Sequence, residues 1–186
     1  MTKNSPIGVF DSGLGGISIW RGIHEKLPRE SIVYLGDGLR CPYGERPQSE
    51  IQQFTFEAVQ KLLKEQCKLI VIACNTATAM AIDDVRKRFT DIPIVGLEPA
   101  IKPAAIASKS GVVGVVATAR SFQGRLYKHT SSLFQDRVRI LESVGEGWVE
   151  LVENNMEDSL EALPLVSRVI EPMIEAGADH IVLGCK

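Results

Sequence analysis

Four clusters of polar and thiol-bearing residues could carry chemistry in this sequence. The first is Asp11-Ser12-Gly13-Leu14-Gly15-Gly16. Its glycines free the backbone to turn and to aim N–H groups at an anion. Asp11 and Ser12 could hold an ammonium group and a carboxylate; a strand-to-helix turn capped by Asp11 is the simpler alternative. The second is Cys41-Pro42-Tyr43-Gly44, whose composition is that of an ordinary turn. The third is Ala73-Cys74-Asn75-Thr76-Ala77-Thr78. A cysteine between an apolar run and a helical stretch lies near unpaired backbone N–H groups, which favour a thiolate. Asn75, Thr76 and Thr78 then offer donors for a carboxylate. An inert cysteine at a helix entry fits the same pattern. The fourth is Leu183-Gly184-Cys185-Lys186.

These clusters need elements to position them. Ile/Val-rich runs at Ile7–Phe10, Ile32–Leu35, Leu69–Ala73 and Ile92–Val95 read as buried strands. A second series follows at Val112–Val116, Val138–Leu141 and Ile181–Leu183. Between them, Ile51, Phe54, Ala58 and Leu62 form a stripe at helical spacing within Ser49–Glu65. Thr78–Phe89 and Ser159–Ala176 read as further helices, with Pro164 and Pro172 as points of bending or breakage. Alternating strands and helices imply mainly parallel sheets covered by helices on both faces. The polar clusters then fall at the carboxyl ends of strands, where ligands bind in open α/β sheets.

Glu98-Pro99 opens a new stretch after a strand, which predicts domains at 1–97 and 98–186. An internal echo relates the two halves. Gly8-Val9-Phe10-Asp11-Ser12 resembles Gly114-Val115-Val116-Ala117-Thr118, and Val71-Ile72-Ala73-Cys74 resembles Val182-Leu183-Gly184-Cys185. The hydroxyl residue precedes the cysteine by 62 positions in one half and 67 in the other, by difference of residue numbers. The echo puts a thiol at the same place in each half.

The gross composition excludes several classes. With 45% hydrophobic and 24% charged residues, the 186-residue chain is globular in type. A net charge of -2 gives no support for nucleic-acid binding. No apolar run reaches the length of a membrane span. The start lacks a signal-peptide pattern, so a cytoplasmic, reducing setting is expected. Cys41, Cys67, Cys74 and Cys185 show neither a CxxC pair nor zinc spacing, and His24, His129 and His180 are scattered. The glycine spacing is a poor match to a dinucleotide site, and Asp11 would repel phosphate.

Taken together, IGVFDSGLGG, YLGDGLRCPYGERP, VIACNTATA and GADHIVLGC resemble the aspartate/glutamate racemase family, and within it the glutamate racemases. The match runs in order along essentially the whole chain. The resemblance implies two pseudo-symmetric α/β domains with the active site in the cleft between them. It implies cofactor-independent interconversion of L- and D-glutamate by two thiols, with neither pyridoxal phosphate nor metal, in the supply of D-glutamate for peptidoglycan. Cys74 and Cys185 match the two catalytic cysteines. Asp11 and Ser12 match a substrate-binding pair, Asp11 also assisting the nearby thiol. Tyr43 and Gly44, then Asn75 and Thr76, match further substrate contacts. Thr118, and Ser121 where threonine is usual, match a loop lining the site, and Glu153 a glutamate near the second thiol. Cys41 and Cys67 match nothing catalytic. A homodimer is a family expectation.

The resemblance also implies a reason for two thiols. Inversion at Cα removes a proton from one face and returns one to the other, so two acid–base groups are needed at once, in opposite protonation states. Cys185 would act as base on L-glutamate and Cys74 on D-glutamate. In the family the second cysteine opens a longer motif, GCTHYP, whose threonine binds substrate and whose histidine assists the thiol. Here Lys186 follows Cys185. The expectation is a chain truncated at the second catalytic cysteine, with impaired activity and with apolar surface of the first domain uncovered. Two other readings stand beside it: an aspartate or other amino-acid racemase of the same family, and a non-catalytic remnant that binds an acidic amino acid.

Overall fold

The computed structural model describes residues 2–185. They gather into two compact units, the first ending at Leu97 and the second running from Glu98 to Cys185.

The first unit alternates β1 (Ile7–Asp11), α1 (Ile17–Lys26), β2 (Ile32–Gly36), α2 (Gln48–Lys64), β3 (Leu69–Ile72), α3 (Asn75–Arg88) and β4 (Ile94–Gly96). Its sheet has the order β2-β1-β3-β4, and every pairing is parallel. β1 sits inside the sheet with all five residues buried, as a strand covered on both faces must. On one face Ile7, Val9, Val71 and Ala73 pack with Ile19 and Ile23 of α1. On the other lies α2, whose Ile51, Val59 and Leu62 are fully buried; each such side chain contributes about 1.5–3 kcal/mol by leaving water. Gly8 permits this contact. A Cβ there would stand 3.0 Å from Cys67 Sγ and 3.1 Å from Leu62 Cδ1.

The second unit contains α4 (Ile101–Ala107), β5 (Val112–Ala117), α5 (Ala119–Gln123), α6 (Arg125–Phe134), β6 (Arg139–Val144), α7 (Trp148–Glu153), α8 (Ala162–Glu175) and β7 (His180–Leu183). Its parallel sheet has the order β6-β5-β7. One face packs Ile101, Val113, Val115, Tyr127 and Val182; the other packs Val116, Val169 and Met173. A Cβ at Gly114 would stand 2.5 Å from Met173 Sδ, so α8 lies as close on β5 as α2 does on β1. The sequence echo thus has a packing cause. In each unit a glycine in the inner strand admits the helix that leads to the thiol-bearing strand.

Several boundaries differ from the sequence reading. α3 begins at Asn75 instead of Thr78, because Cys74 itself caps it. β4 begins at Ile94; Pro93 has no N–H for a ladder. α8 runs unbroken from Ala162 to Glu175. Pro164 falls in its first turn, where no N–H is needed, and Pro172 is accommodated inside.

Candidate functional site

The polar clusters of the first unit meet at the carboxyl ends of β1 and β3. Ala73 N–H donates to the Phe10 carbonyl at 2.7 Å, which continues the ladder past β3 and sets Ser12 beside Cys74. Ser12 Oγ and Cys74 Sγ are 3.2 Å apart. Cys74 adopts extended backbone as the N-cap of α3, and Ala77 N–H donates to its sulfur at 3.3 Å. The sulfur therefore lies at the positive end of a 14-residue helix, a position that favours negative charge. The cysteine is only 7% exposed.

Asp11 ends β1 and is buried. It does not cap α1, whose N-cap position is taken by Gly16. Its Oδ2 instead accepts from Gly13 N–H at 2.9 Å. Asn75 and Thr76 form the first turn of α3 and are buried. Thr78 differs from the sequence reading. Its hydroxyl donates to the Ile72 carbonyl and accepts from Leu97 N–H, both at 3.2 Å. It is a strut joining β3, α3 and the end of β4, with its hydrogen-bonding committed to the fold.

Cys41-Pro42-Tyr43-Gly44 is more than a surface turn. The Cys41-Pro42 peptide is cis. Tyr43 is 1% exposed, packs against Phe10 and Phe54, and donates its hydroxyl to Asp37 Oδ2 at 2.5 Å. Burial, then this bond to a carboxylate, holds the phenol above its ordinary range and therefore neutral. Arg40 donates to Asp37 Oδ2 and to Glu57 Oε2, each at 2.7 Å, and lies 4.0 Å over the Phe54 ring. Asp37 N–H donates to the Asp11 carbonyl at 3.0 Å. The loop before Gly44 is thus tied to the end of β1. Asp37 and Arg40 were not singled out in the sequence. Their contacts join one loop to α2 and to the end of β1, and no spacing announces them.

The second unit repeats the backbone frame. Gly184 N–H donates to the Val116 carbonyl at 2.6 Å, as Ala73 does to Phe10. Thr118 caps α5: its Oγ1 accepts from Ser121 N–H at 3.2 Å and lies 2.9 Å from Ser121 Oγ. Ser121 is buried, and Cys185 is half-buried just beyond β7. Glu153 is the last residue of α7. That helix is entered through Gly147 at φ +79°, a conformation suited to glycine.

All four cysteines are outside disulfides. Cys67 lies beneath Gly8, and burial raises its thiol, consistent with a packing role. Among the described residues, no group of three or more His, Cys, Asp or Glu side chains is placed to hold a metal, and no helix is long and apolar enough to cross a membrane.

Two units of one backbone design, each with a hydroxyl residue after the inner strand and a thiol after its neighbour, define a thiol-bearing α/β protein with an internal repeat. The Asp/Glu/Hydantoin racemase family model matches residues 7–186, and the chain belongs to that family. It is 43% identical over 180 residues to a glutamate racemase of Roseiflexus sp. (strain RS-1), covering 97% of this chain and 66% of that one. It therefore spans just under two thirds of that relative's length. Its fold matches a crystal structure of glutamate racemase isoform RacE1 from Bacillus anthracis with a TM-score of 0.85 and 34% identity, over 99% of this chain and 69% of the other. It also matches Escherichia coli glutamate racemase in complex with L-glutamate and the activator UDP-MurNAc-ala, with a TM-score of 0.84 and 32% identity, over 97% and 69%.

Proposed function

We propose that this chain carries the two-thiol machinery of a glutamate racemase, interconverting L- and D-glutamate without a cofactor. The observation that carries the reading is Cys74 at the N-cap of α3, 3.2 Å from Ser12 Oγ, with Cys185 at the corresponding strand end of the second unit. The names of the relatives favour glutamate over aspartate.

In this reading a thiolate takes the Cα proton of the substrate, leaving a carbanion, and the other thiol gives a proton to the opposite face. The first sulfur ends as thiol and the second as thiolate, so the roles exchange with each turnover. Cys185 is the base on L-glutamate and Cys74 the base on D-glutamate. The α3 N-terminus and the Ser12 hydroxyl stabilise negative charge on Cys74. Asp11 receives the substrate ammonium and assists proton movement at Cys74. Ser12, Gly44, Asn75, Thr76, Thr118 and Ser121 supply fixed donors for the carboxylates, and such preoriented dipoles stabilise the carbanion. Tyr43 belongs to the same loop as Gly44, but its hydroxyl is committed to Asp37; its part is to hold that loop. Glu153 acts near the second thiol. The parts ending at residue 97 and beginning at residue 98 are the two domains. The setting is the cytoplasm, the assembly a homodimer, and the product D-glutamate for peptidoglycan.

The test is to follow the optical signal of L-glutamate, D-glutamate and L-aspartate by circular dichroism with the purified chain and no added cofactor. Decay of both glutamate signals to zero, with aspartate much slower, is the expected result. A folded sample that binds glutamate and leaves its signal constant would overturn the reading.

A further inference from the structure

The turn that follows Asp11 is gripped from the side by a residue outside the site described above. Tyr34 on β2 stands opposite Val9 in the β1–β2 register, and Gly36 stands opposite Asp11. Being two residues apart, Tyr34 and Gly36 share one face of the strand. The Tyr34 hydroxyl donates to the Gly13 carbonyl at 2.8 Å, while Gly13 N–H donates to Asp11 Oδ2 at 2.9 Å. Gly13 is itself buried, and a buried backbone group left unpaired is costly. Both polar groups of this one residue are therefore committed, one to Tyr34 and one to the carboxylate.

Two glycines make room for the arrangement. A Cβ at Gly16 would stand 2.5 Å from Asp11 Cβ and 3.1 Å from the Tyr34 hydroxyl. A Cβ at Gly36 would stand 3.0 Å from the Gly13 carbonyl oxygen and 3.2 Å from Tyr34 Cε1. Neither space is open to a side chain without displacing Asp11, Tyr34 or the Gly13 peptide. The second unit has no counterpart. There Glu142 occupies the register position of Tyr34 and accepts from Tyr127, and Ala117 occupies that of Asp11.

We propose that Tyr34 is a positioning residue for Asp11. It fixes Gly13, and Gly13 fixes the angle of the carboxylate at the tip of β1. The proposal rests on the reading of Asp11 as a working group in the racemase reaction, and the test separates the two. Tyr34→Phe keeps the ring and removes only the hydroxyl. The Gly13 amide of the full chain is followed by NMR hydrogen exchange, and Cα deuterium exchange of glutamate is measured in Tyr34→Phe, Asp11→Asn and the double variant. Loss of one hydrogen bond should speed exchange of the Gly13 amide about tenfold and slow glutamate exchange about fivefold to tenfold. On the Asp11→Asn background the Tyr34→Phe effect on glutamate should shrink below about twofold, because coupled residues are non-additive. An unchanged Gly13 amide, or an equal loss on both backgrounds, would overturn the proposal. If the wild-type chain exchanges no glutamate, the racemase reading fails by itself, and the Gly13 amide still decides whether Tyr34 holds the loop.

Discussion

The ends of β1 and β3 in the first unit and of β5 and β7 in the second share a frame and differ in what hangs on it. Ala73 and Gly184 donate to the inner strand in the same way, and Asp37 and Gly145 donate to Asp11 and Ala117 at 3.0 and 3.3 Å. The first unit then places a buried carboxylate at the tip of its inner strand, and the second places the methyl group of Ala117. Cys74 is sunk at the start of α3, with Ala77 N–H on its sulfur; Cys185 is half-buried, and Thr118 makes the capping bond to Ser121. Duplication preserves the backbone, and side-chain substitution makes the electrostatics unequal. In the proposed reaction the two thiols hold opposite protonation states, and unequal surroundings of this kind would serve it.

The largest expected effect separates thiols that work from thiols that pack. Cys74→Ala and Cys185→Ala should each slow racemisation at least about 100-fold, the scale of losing a positioned acid or base, while Cys41→Ala stays within a few fold. A chain that tolerates either of the first two would break the proposed equivalence of Cys74 and Cys185.

Next come the glycines that let the frame close. A Cβ at Gly16 would stand 2.5 Å from Asp11 Cβ, and one at Gly184 would stand 2.6 Å from Ala117 Cβ. Gly16→Ala and Gly184→Ala should each cost about 1–3 kcal/mol, as overpacking does, measured by denaturant unfolding. Gly22→Ala is the control. It lies in α1 with nothing within 4 Å of the added methyl, and should gain up to about 1 kcal/mol.

The pH limbs give a smaller contrast. Each unit buries a tyrosine that donates to a carboxylate, Tyr43 to Asp37 and Tyr127 to Glu142. Burial first, and then these bonds, raise both phenols above their ordinary range. The unfolded chain loses these protons near pH 10 while the folded chain keeps them. Stability present below that pH is therefore lost as pH rises. Tyr43→Phe and Tyr127→Phe should each flatten the alkaline limb of an unfolding-against-pH curve.

The smallest effect is confined to the second unit. Asp179 accepts from Ser108 Oγ at 2.7 Å and from Lys109 and Ser110 N–H at 2.7 and 2.9 Å. The His180 contact first, and then these donors, hold its carboxyl below the ordinary range. Its stabilisation is present above about pH 4 and is lost as pH falls. Asp179→Asn should flatten the acid limb slightly. Amide shifts around Ser108–Gly111 should change, while those of the first unit stay in place.

Much of this frame was legible because the inner strands β1, β3 and β5 are buried on two faces and so carry apolar runs; the edge strands β2 and β6 are at most half-buried. All seven strand runs recur in the structure, six within a residue or two and the sixth, read as Val138–Leu141, extended to Val144. α2 was legible from its stripe, and Ile51, Ala58 and Leu62 are indeed buried. The helices that escaped individual reading have physical reasons for doing so. α1 buries no residue fully, α4 carries Pro103, and α5 has five residues. α6 is rich in residues of weak helix propensity such as His129, Thr130, Ser131 and Ser132. At the candidate site, Cys74 as a helix entry was legible from a strand run followed by a helical stretch. The Tyr34–Gly13–Asp11 chain and the Tyr43–Asp37–Arg40 cluster were not. They depend on which strand neighbours which and on how the loop between β2 and α2 folds back, and hydrophobic periodicity carries neither.

The central claim is that thiols at two equivalent strand ends move the Cα proton of one amino acid. Its most direct test is proton NMR of L-glutamate and, separately, D-glutamate in deuterated buffer with the purified chain. The account predicts loss of the Cα proton signal from both enantiomers, abolished by Cys74→Ala and by Cys185→Ala. A folded chain that leaves the Cα proton in place on both enantiomers would contradict it.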